Sequence, residues 1–341
     1  MTKQAICVII QIQTRKEMII MANVAKKYVD EEIMRLRRFD QSVNSLSRYA
    51  RNLNLAVLEQ KISPVYNREE VITSVKRILC RRNKANILLT GAAGCGKTAI
   101  AEGLARDIAI TKVKWNSDRA RAERACGKEI DAQTGEVLDY CEPAKPMFCD
   151  YIIYDLPLNT LVAGSKFRGE FEEKLQEVMR ICEQHPNIIL FIDEIHQIVE
   201  AGKAEGASGA GQILKPAMAR GDIRIIGATT TDEVVLIRKD KALNRRFSEV
   251  IVPQLVGEAA VNCIENVLAD YAEYHGIKCE GISAQYLVDQ VSYFLPNSVF
   301  PNNVIDVIDE TLASAKFDGL SSVNMTHINA TLSRMSGSII I

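Results

Sequence analysis

The chain lacks any run of 18 apolar residues, so no segment has the length and character of a membrane-spanning helix. Its nine cysteines form no CxxC pair and follow no secretory signal, which excludes a secreted disulfide framework. A reduced cytoplasmic interior is the simplest home for them. An excess of either charge is also missing. The 42 Lys plus Arg balance 43 Asp plus Glu, leaving no global basic field for nucleic acid and no acidic tail. No internal repeat and no low-complexity tract stands out. What remains, at 341 residues, is enough chain for two domains and a sizeable buried core.

The opening "MTKQAICVIIQIQ" is a short apolar run without a cleavage site, so it does not read as a processing signal. Lys16-Glu17 can be encoded by a ribosome-binding sequence, and Met21 follows at suitable spacing. Residues 1–20 are therefore expected to be an over-called translation start. Peptide mass mapping of the natural N-terminus tests this, and recovery of residues 2–15 refutes it.

Residues 21–63 read as a helical segment and connector, with a charged helix over 24–40. Five apolar runs bounded by breakers then read as strands: "NILLT" (86–90), "YIIYD" (151–155), "IILFID" (188–193), "IRIIGA" (223–228) and "EVIVP" (249–253). Helical patterns at 97–111, 170–184, 209–220 and 232–245 alternate with them. That alternation predicts an α/β fold, a parallel sheet covered by helices, over 64–253. After Pro253 the strands stop, and helices at 257–275, 283–294, 301–317 and 325–335 predict a small helical domain over 254–341. Residues 112–149 form a long charged insertion holding Cys126, Cys141 and Cys149. It reads as solvated, because the spacing lacks paired metal ligands.

"GAAGCGKT" (91–98) follows a strand and opens a helix, the context a phosphate-binding loop requires. Gly91, Gly94 and Gly96 let backbone N–H groups turn onto phosphate oxygens. Lys97 reaches the β- and γ-phosphates, Thr98 holds Mg²⁺, and the helix N-terminus favours an anion. Cys95 faces this loop, where oxidation would block the pocket. "IILFIDE" (188–194) delivers Asp193 to the end of a buried strand to support the metal shell. Glu194 is placed to polarise an attacking water. In "IRIIGATT" (223–230), Thr230, with Thr229, is placed to bond the γ-phosphate or that water. "LNRRF" (243–247) puts Arg245 and Arg246 where one subunit could insert a cation into its neighbour's ATP site, although an exposed arginine pair is more often a solvated surface.

"GSKFRGEFEEKL" (164–175) holds one aromatic, Phe167, between Lys166 and Arg168 in a glycine-bounded loop. From Glu170 onward Phe171, Leu175, Val178 and Cys182 recur at helical spacing.

Together these motifs resemble the AAA+ superfamily, and within it the first ATPase module of the Clp unfoldases and disaggregases. The resemblance runs from about Leu46 to Ser314, interrupted by 112–149. It is carried by "LSRYARNLNLAVLEQKISPVYNREEVI", "LVAGSKFRGEFEEKL", "AGKAEGASGAGQILKPAMARGDIRIIGATT" and "VIDVIDE". It implies an AAA+ phosphate-loop ATPase domain with a C-terminal helical lid, closing into a homo-oligomeric, six-membered ring. It further implies ATP and Mg²⁺ as cofactors, with Val65, Tyr66 and Ala99 joining the phosphate loop in nucleotide binding. The loop at Lys166-Phe167-Arg168 would project into a central pore and grip an unfolded or tagged protein client. Residues 201–211 would form a second pore loop.

Several positions depart from the family pattern. Tyr66-Asn67 stands where Ile-Gly is usual, and Asn tolerates the left-handed backbone that such a turn needs. Pro301-Asn302-Asn303-Val304 replaces Pro-Asp-Lys-Ala, and no Lys or Arg occurs from Cys279 to Ala315, so no cationic lid sensor is expected. One ATPase module is present in these 341 residues. No second module, no coiled-coil middle domain and no Ile-Gly-Phe/Leu peptidase-docking tripeptide is found. The reading is an ATP-driven unfoldase or remodeller. The rivals are an ATP-gated assembly factor that does not translocate, and a nucleic-acid motor, which would want a more basic pore.

Overall fold

The computed structural model describes residues 15–125, 142–162, 168–200, 210–221, 223–296 and 298–337. Its contacts divide the chain into two units, one formed by residues up to 62 with 104–190, the other by 63–103 with 191–341. Among the described residues the strands are β1 (Arg51–Asn52), β2 (Asn86–Thr90), β3 (Ile152–Asp155), β4 (Ile188–Ile192), β5 (Arg224–Thr229), β6 (Phe247–Ile251), β7 (Lys278–Cys279) and β8 (Ser322–Val323).

In the second unit β2 lies between β5 and β6 and runs parallel to both, with Ile87 opposite Ile226 and Ser248. Every residue of β2 is buried, which is why "NILLT" reads as an unbroken apolar run rather than an alternating one. The side chain of buried Asn86 closes the pairing by accepting from Ile225 N at 2.9 Å. The last strand occupies 247–251, two residues earlier than its apolar run suggests. The ladder with β2 sets that register, and Pro253, beyond its end, has no N–H to donate. The expected helix over 232–245 is two helices, Val234–Lys239 and Lys241–Asn244. Asp240 separates them, accepting from Ala242 N and Leu243 N at 3.0 and 3.1 Å and so capping the second.

Beyond Pro253 four helices, Glu258–His275, Ala284–Phe294, Asn302–Phe317 and Met325–Ser336, pack around Ile264, Leu287, Val304, Ile308 and Leu332. Burying each such side chain contributes about 1.5–3 kcal/mol. Strands do not stop altogether here, because β7 and β8 pair in parallel for two residues.

In the first unit β1 pairs antiparallel with β3, and β3 neighbours β4. Buried Asn54 stitches the start of β3, donating to Tyr151 O at 3.1 Å and accepting from Ile153 N at 2.9 Å. The insertion departs from expectation. The helix expected over 97–111 runs on as Lys97–Ala125, and residues 142–150 return to it. Trp115 Nε1 donates to Pro143 O at 3.1 Å, and Arg119 pairs with Glu123 and Glu142 at 3.1 Å. Lys112, only 8% exposed, pairs with Asp150 at 2.7 Å. The stretch reads as solvated because its charges dominate, yet Val113 and Trp115 are buried. Ala, Arg and Glu are also strong helix formers, with i,i+4 pairing to help. Burial works against ionised Asp150, but the hydrogen bonds from Lys112 and Lys145 outweigh it and hold its carboxyl below the usual range. Cys149 is buried and its thiol is pushed up by that burial. Cys126 and Cys141 lie outside the described residues.

Candidate functional site

The phosphate-type loop leaves the buried end of β2 at Thr90 and enters the Lys97–Ala125 helix. Gly94 and Gly96 sit at φ +78° and +92°, where side chains other than glycine's are strained. Gly91 is required by space: a Cβ there would lie 2.7 Å from Val252 O and 2.8 Å from Cys95 Sγ. Lys97 Nζ folds across the loop and donates to Gly91 O at 3.0 Å and Ala92 O at 2.9 Å. The Cys95 side chain lies against Gly91 of the loop and is wholly buried. Ala99 follows on the helix, 3.8 Å from a Cβ built on Gly96.

Strand β4 brings its two acids to this loop. Thr98 Oγ1 donates to Asp193 Oδ2 at 2.8 Å, and Asp193 Oδ1 accepts from Glu194 N at 2.9 Å. Glu194 lies at φ +48°, a left-handed conformation that costs a non-glycine residue about 1–2 kcal/mol. The bond from Ile195 N to Ala228 O, 3.0 Å, secures the turn on β5. Gln197 Nε2 donates to Glu194 Oε2. A hydroxyl and a carboxylate this close make a hard-oxygen donor pair suited to a small divalent cation, so the residues present fit one.

Thr230 Oγ1 donates a hydrogen bond to Glu233 Oε2 at 2.6 Å. Glu233 also faces buried His196 Nδ1 at 3.4 Å, and that imidazole bonds Thr229 Oγ1 at 3.1 Å. The hydrogen bond from Thr230, then the nearby His196, holds the Glu233 carboxyl below the usual range, although burial opposes it. Lys97 adds to this pull. Sequence reasoning missed Glu233 and His196. The signal for Glu233 was its place three residues after Thr230, and nothing marked the histidine.

Arg245 is exposed, and Arg246 Nη1 donates to Ala242 O of the preceding Lys241–Asn244 helix at 2.7 Å. Val65 packs at the Lys97–Ala125 helix, 3.3 Å from a Cβ built on Gly103. Tyr66 Oη donates to Asp270 Oδ2 of the Glu258–His275 helix at 2.7 Å. Asn67 takes the left-handed conformation, at φ +57°. Arg68, not singled out from the sequence, is 4% exposed and bonds Pro253 O and Cys95 O at 2.7 and 2.6 Å. On the other side of the loop, Asn302 approaches Gly94, 3.3 Å from a Cβ built there. Lys166 and Phe167 lie outside the described residues, as do 201–209, and Arg168 is the first residue of the Arg168–Gln184 helix.

A glycine loop between strand and helix, a second strand ending in Asp-Glu and a four-helix lid are the parts of an AAA+ ATPase. The model of the "ATPase family associated with various cellular activities (AAA)" matches residues 87–255, an AAA lid domain model matches 257–339, and the chain belongs to this family. Its mostly parallel ATPase domain is followed by a helical lid. Within the family it is similar to the ClpB chaperones. It is 39% identical over 267 residues to Chaperone protein ClpB of Bdellovibrio bacteriovorus, covering 78% of this chain and 28% of that one. It is 36% identical over 292 residues to ClpB of Aquifex aeolicus, covering 85% and 25%. The S. cerevisiae Hsp104-ADP complex superposes with a TM-score of 0.69 at 30% identity, over 86% of this chain and 46% of that one. A closed-state Hsp104 with ATPγS and FITC casein gives 0.68 at 30% identity, over 86% and 45%. The chain thus spans less than a third of these ClpB relatives' length and under half of Hsp104's. Among the described residues no helix is long and apolar enough to cross a membrane.

Proposed function

We propose that this chain is a Mg²⁺-dependent ATP hydrolase of the cytoplasm that assembles into a homo-oligomeric, six-membered ring and remodels proteins by threading them through its pore. The observation that carries the hydrolytic part is the Thr98–Asp193–Glu194 array beside Lys97. In this reading residues 64–253 form the ATPase domain and 254–341 the lid, with 21–63 leading in. Gly91, Gly94, Gly96, Ala99 and the backbone of Cys95 shape the phosphate cradle, Lys97 neutralises phosphate charge, and Val65 and Tyr66 border the base. Thr98 and Asp193 hold Mg²⁺, which when bound neutralises developing phosphate charge. Glu194 takes the proton of the attacking water, and its left-handed backbone aims the carboxylate. Thr230 orients the water or the γ-phosphate once its hydroxyl leaves Glu233. Arg245, which is exposed, and Arg246, whose guanidinium would have to leave Ala242 O, act on a neighbour's nucleotide. Phe167, flanked by Lys166 and Arg168, grips the client, since an aromatic packs on many side chains without demanding sequence.

The threading part rests on the likeness to ClpB and to Hsp104, one structure of which is described with FITC casein. An ATP-gated assembly factor is favoured by one observation: the lid residue at Gly94 is the neutral Asn302. The two separate on Phe167→Ala, assayed by ATP turnover, melting and unfolding of a fluorescent protein with an unstructured tag. Threading expects intact folding and basal turnover with unfolding lost, and Phe167→Tyr still active. Unfolding at the parental rate by Phe167→Ala would sink the threading reading. So would a melting loss of about 3–5 kcal/mol, the cost of truncating a core phenylalanine.

A further inference from the structure

Arg68 sits where three parts of the second unit meet. Its Nη2 donates to Cys95 O in the glycine loop at 2.6 Å, and its Nη1 donates to Pro253 O, just past the last strand of the ladder, at 2.7 Å. Both groups belong to carbonyls rather than to a carboxylate, and the guanidinium is 4% exposed. Burial draws its pKa below the ordinary arginine value, against the pull of Cys95 in the loop and Cys263 of the lid helix. A buried cation held by two carbonyls is a costly arrangement unless those carbonyls need to be held.

The peptide geometry says what holding them achieves. In a trans peptide the C=O and the following N–H point in opposite directions. Pinning Cys95 O from the Arg68 side therefore aims Gly96 N–H away from Arg68. Gly96 is the residue at φ +92°, free to take more than one orientation if its peptide is released. The other arm fixes the chain where it leaves the ladder for the lid. Val252 N bonds Thr90 O at 2.7 Å, and Val252 O abuts Gly91. Two residues before Arg68, Tyr66 ties the same segment to Asp270 of the lid helix.

We propose that Arg68 is a positioning residue: it sets the Cys95–Gly96 peptide for phosphate binding and couples that peptide to the hinge at 253–257, which carries the lid. This rests on residues 91–98 being the phosphate loop. It also offers a route for nucleotide sensing in a lid that carries no Lys or Arg from 279 to 315. The role is filled from below the loop, by backbone, rather than from the lid by a cation on phosphate. Lysine cannot reproduce it, because one ammonium does not span two carbonyls in a fixed fork.

The test uses the full chain with Arg68→Gln, Arg68→Lys and Lys97→Ala. The probe is fluorescent ADP, titrated well below the melting onset with folding checked by circular dichroism, alongside KM and kcat for ATP. Arg68→Gln is expected to raise the ADP Kd about tenfold or more, the scale of a lost charge-assisted hydrogen bond, with a smaller change in kcat. Arg68→Lys should not restore affinity. A folded Arg68→Gln or Arg68→Lys that binds ADP as the parent does overturns the proposal. If Lys97→Ala itself binds like the parent, the phosphate-loop reading falls instead. Should neither Arg68 variant fold, amide exchange on the unchanged chain decides. ADP should slow exchange at Gly96 and at 254–257 together, and slowing confined to the loop refutes the coupling.

Discussion

Gly227 lies in β5 directly against the residue that follows Glu194. A Cβ placed on it would stand 2.6 Å from Ile195 Cδ1, 2.9 Å from Cγ2 and 3.2 Å from Cβ. Comfortable carbon contacts are about 3.5–4.0 Å. The Cδ1 methyl can rotate away, but Cγ2 and Cβ retreat only if the main chain of Ile195 moves by roughly half an ångström. That main chain is bonded to Ala228 O, and the side chain is 3% exposed with nowhere to go. Gly227→Ala should therefore cost about 1–3 kcal/mol, as other overpacked cores do. For 341 residues unfolding together that corresponds to about 1–2 °C in Tm for each kcal/mol. Because Asp193 and Glu194 immediately precede Ile195, the displacement should also loosen the Thr98–Asp193 contact. Turnover should fall about ten- to a hundredfold, more than nucleotide affinity does. Ile195→Ala removes the clashing atoms, so the double variant should be more stable than the two single losses predict, by about 0.5–3 kcal/mol. Melting curves and steady-state ATPase on the four proteins give the answer. Parental melting and turnover for Gly227→Ala, or strict additivity in the cycle, would refute the reasoning.

Glu194→Gln should bind ATP yet turn it over at least about a hundredfold more slowly, because Thr98 and Asp193 remain while the proton acceptor is gone; single-turnover hydrolysis near the parental rate would remove Glu194 from the chemistry. Arg246→Ala and Lys97→Ala proteins, each inactive alone, should regain partial ATPase when mixed and allowed to exchange subunits; a fully active monomer would contradict the assignment in trans. Asp240→Ala should cost about 1 kcal/mol by removing a helix cap. Burial opposes the ionised Asp240, but Lys215 and the backbone of Leu243 outweigh it, holding its carboxyl below the ordinary 3.8. Its contribution is therefore present above pH ~4 and lost as pH falls through the folded value. Denaturant titrations should show the gap between parent and variant closing only in that acid range.

The strands, the glycine loop and the paired acids were legible from the sequence alone because each rests on local rules. An apolar run bounded by breakers has few fates, and a loop with glycines at 94 and 96 tells of positive φ before any fold is known. Asn67 was legible in the same way, since only a few residue types tolerate its backbone. What the sequence could not reveal were pairings between residues far apart in the chain. Trp115 looks solvated among its charged neighbours until Pro143 and Glu142 return to that helix. The register of the last strand follows from β2, some 160 residues earlier, not from its own apolar run. Arg68 reads as one more surface charge beside Glu69 and Glu70. Only tertiary structure brings it to Cys95 and to Pro253, 185 residues away, because a buried guanidinium must find its acceptors wherever the fold puts carbonyls.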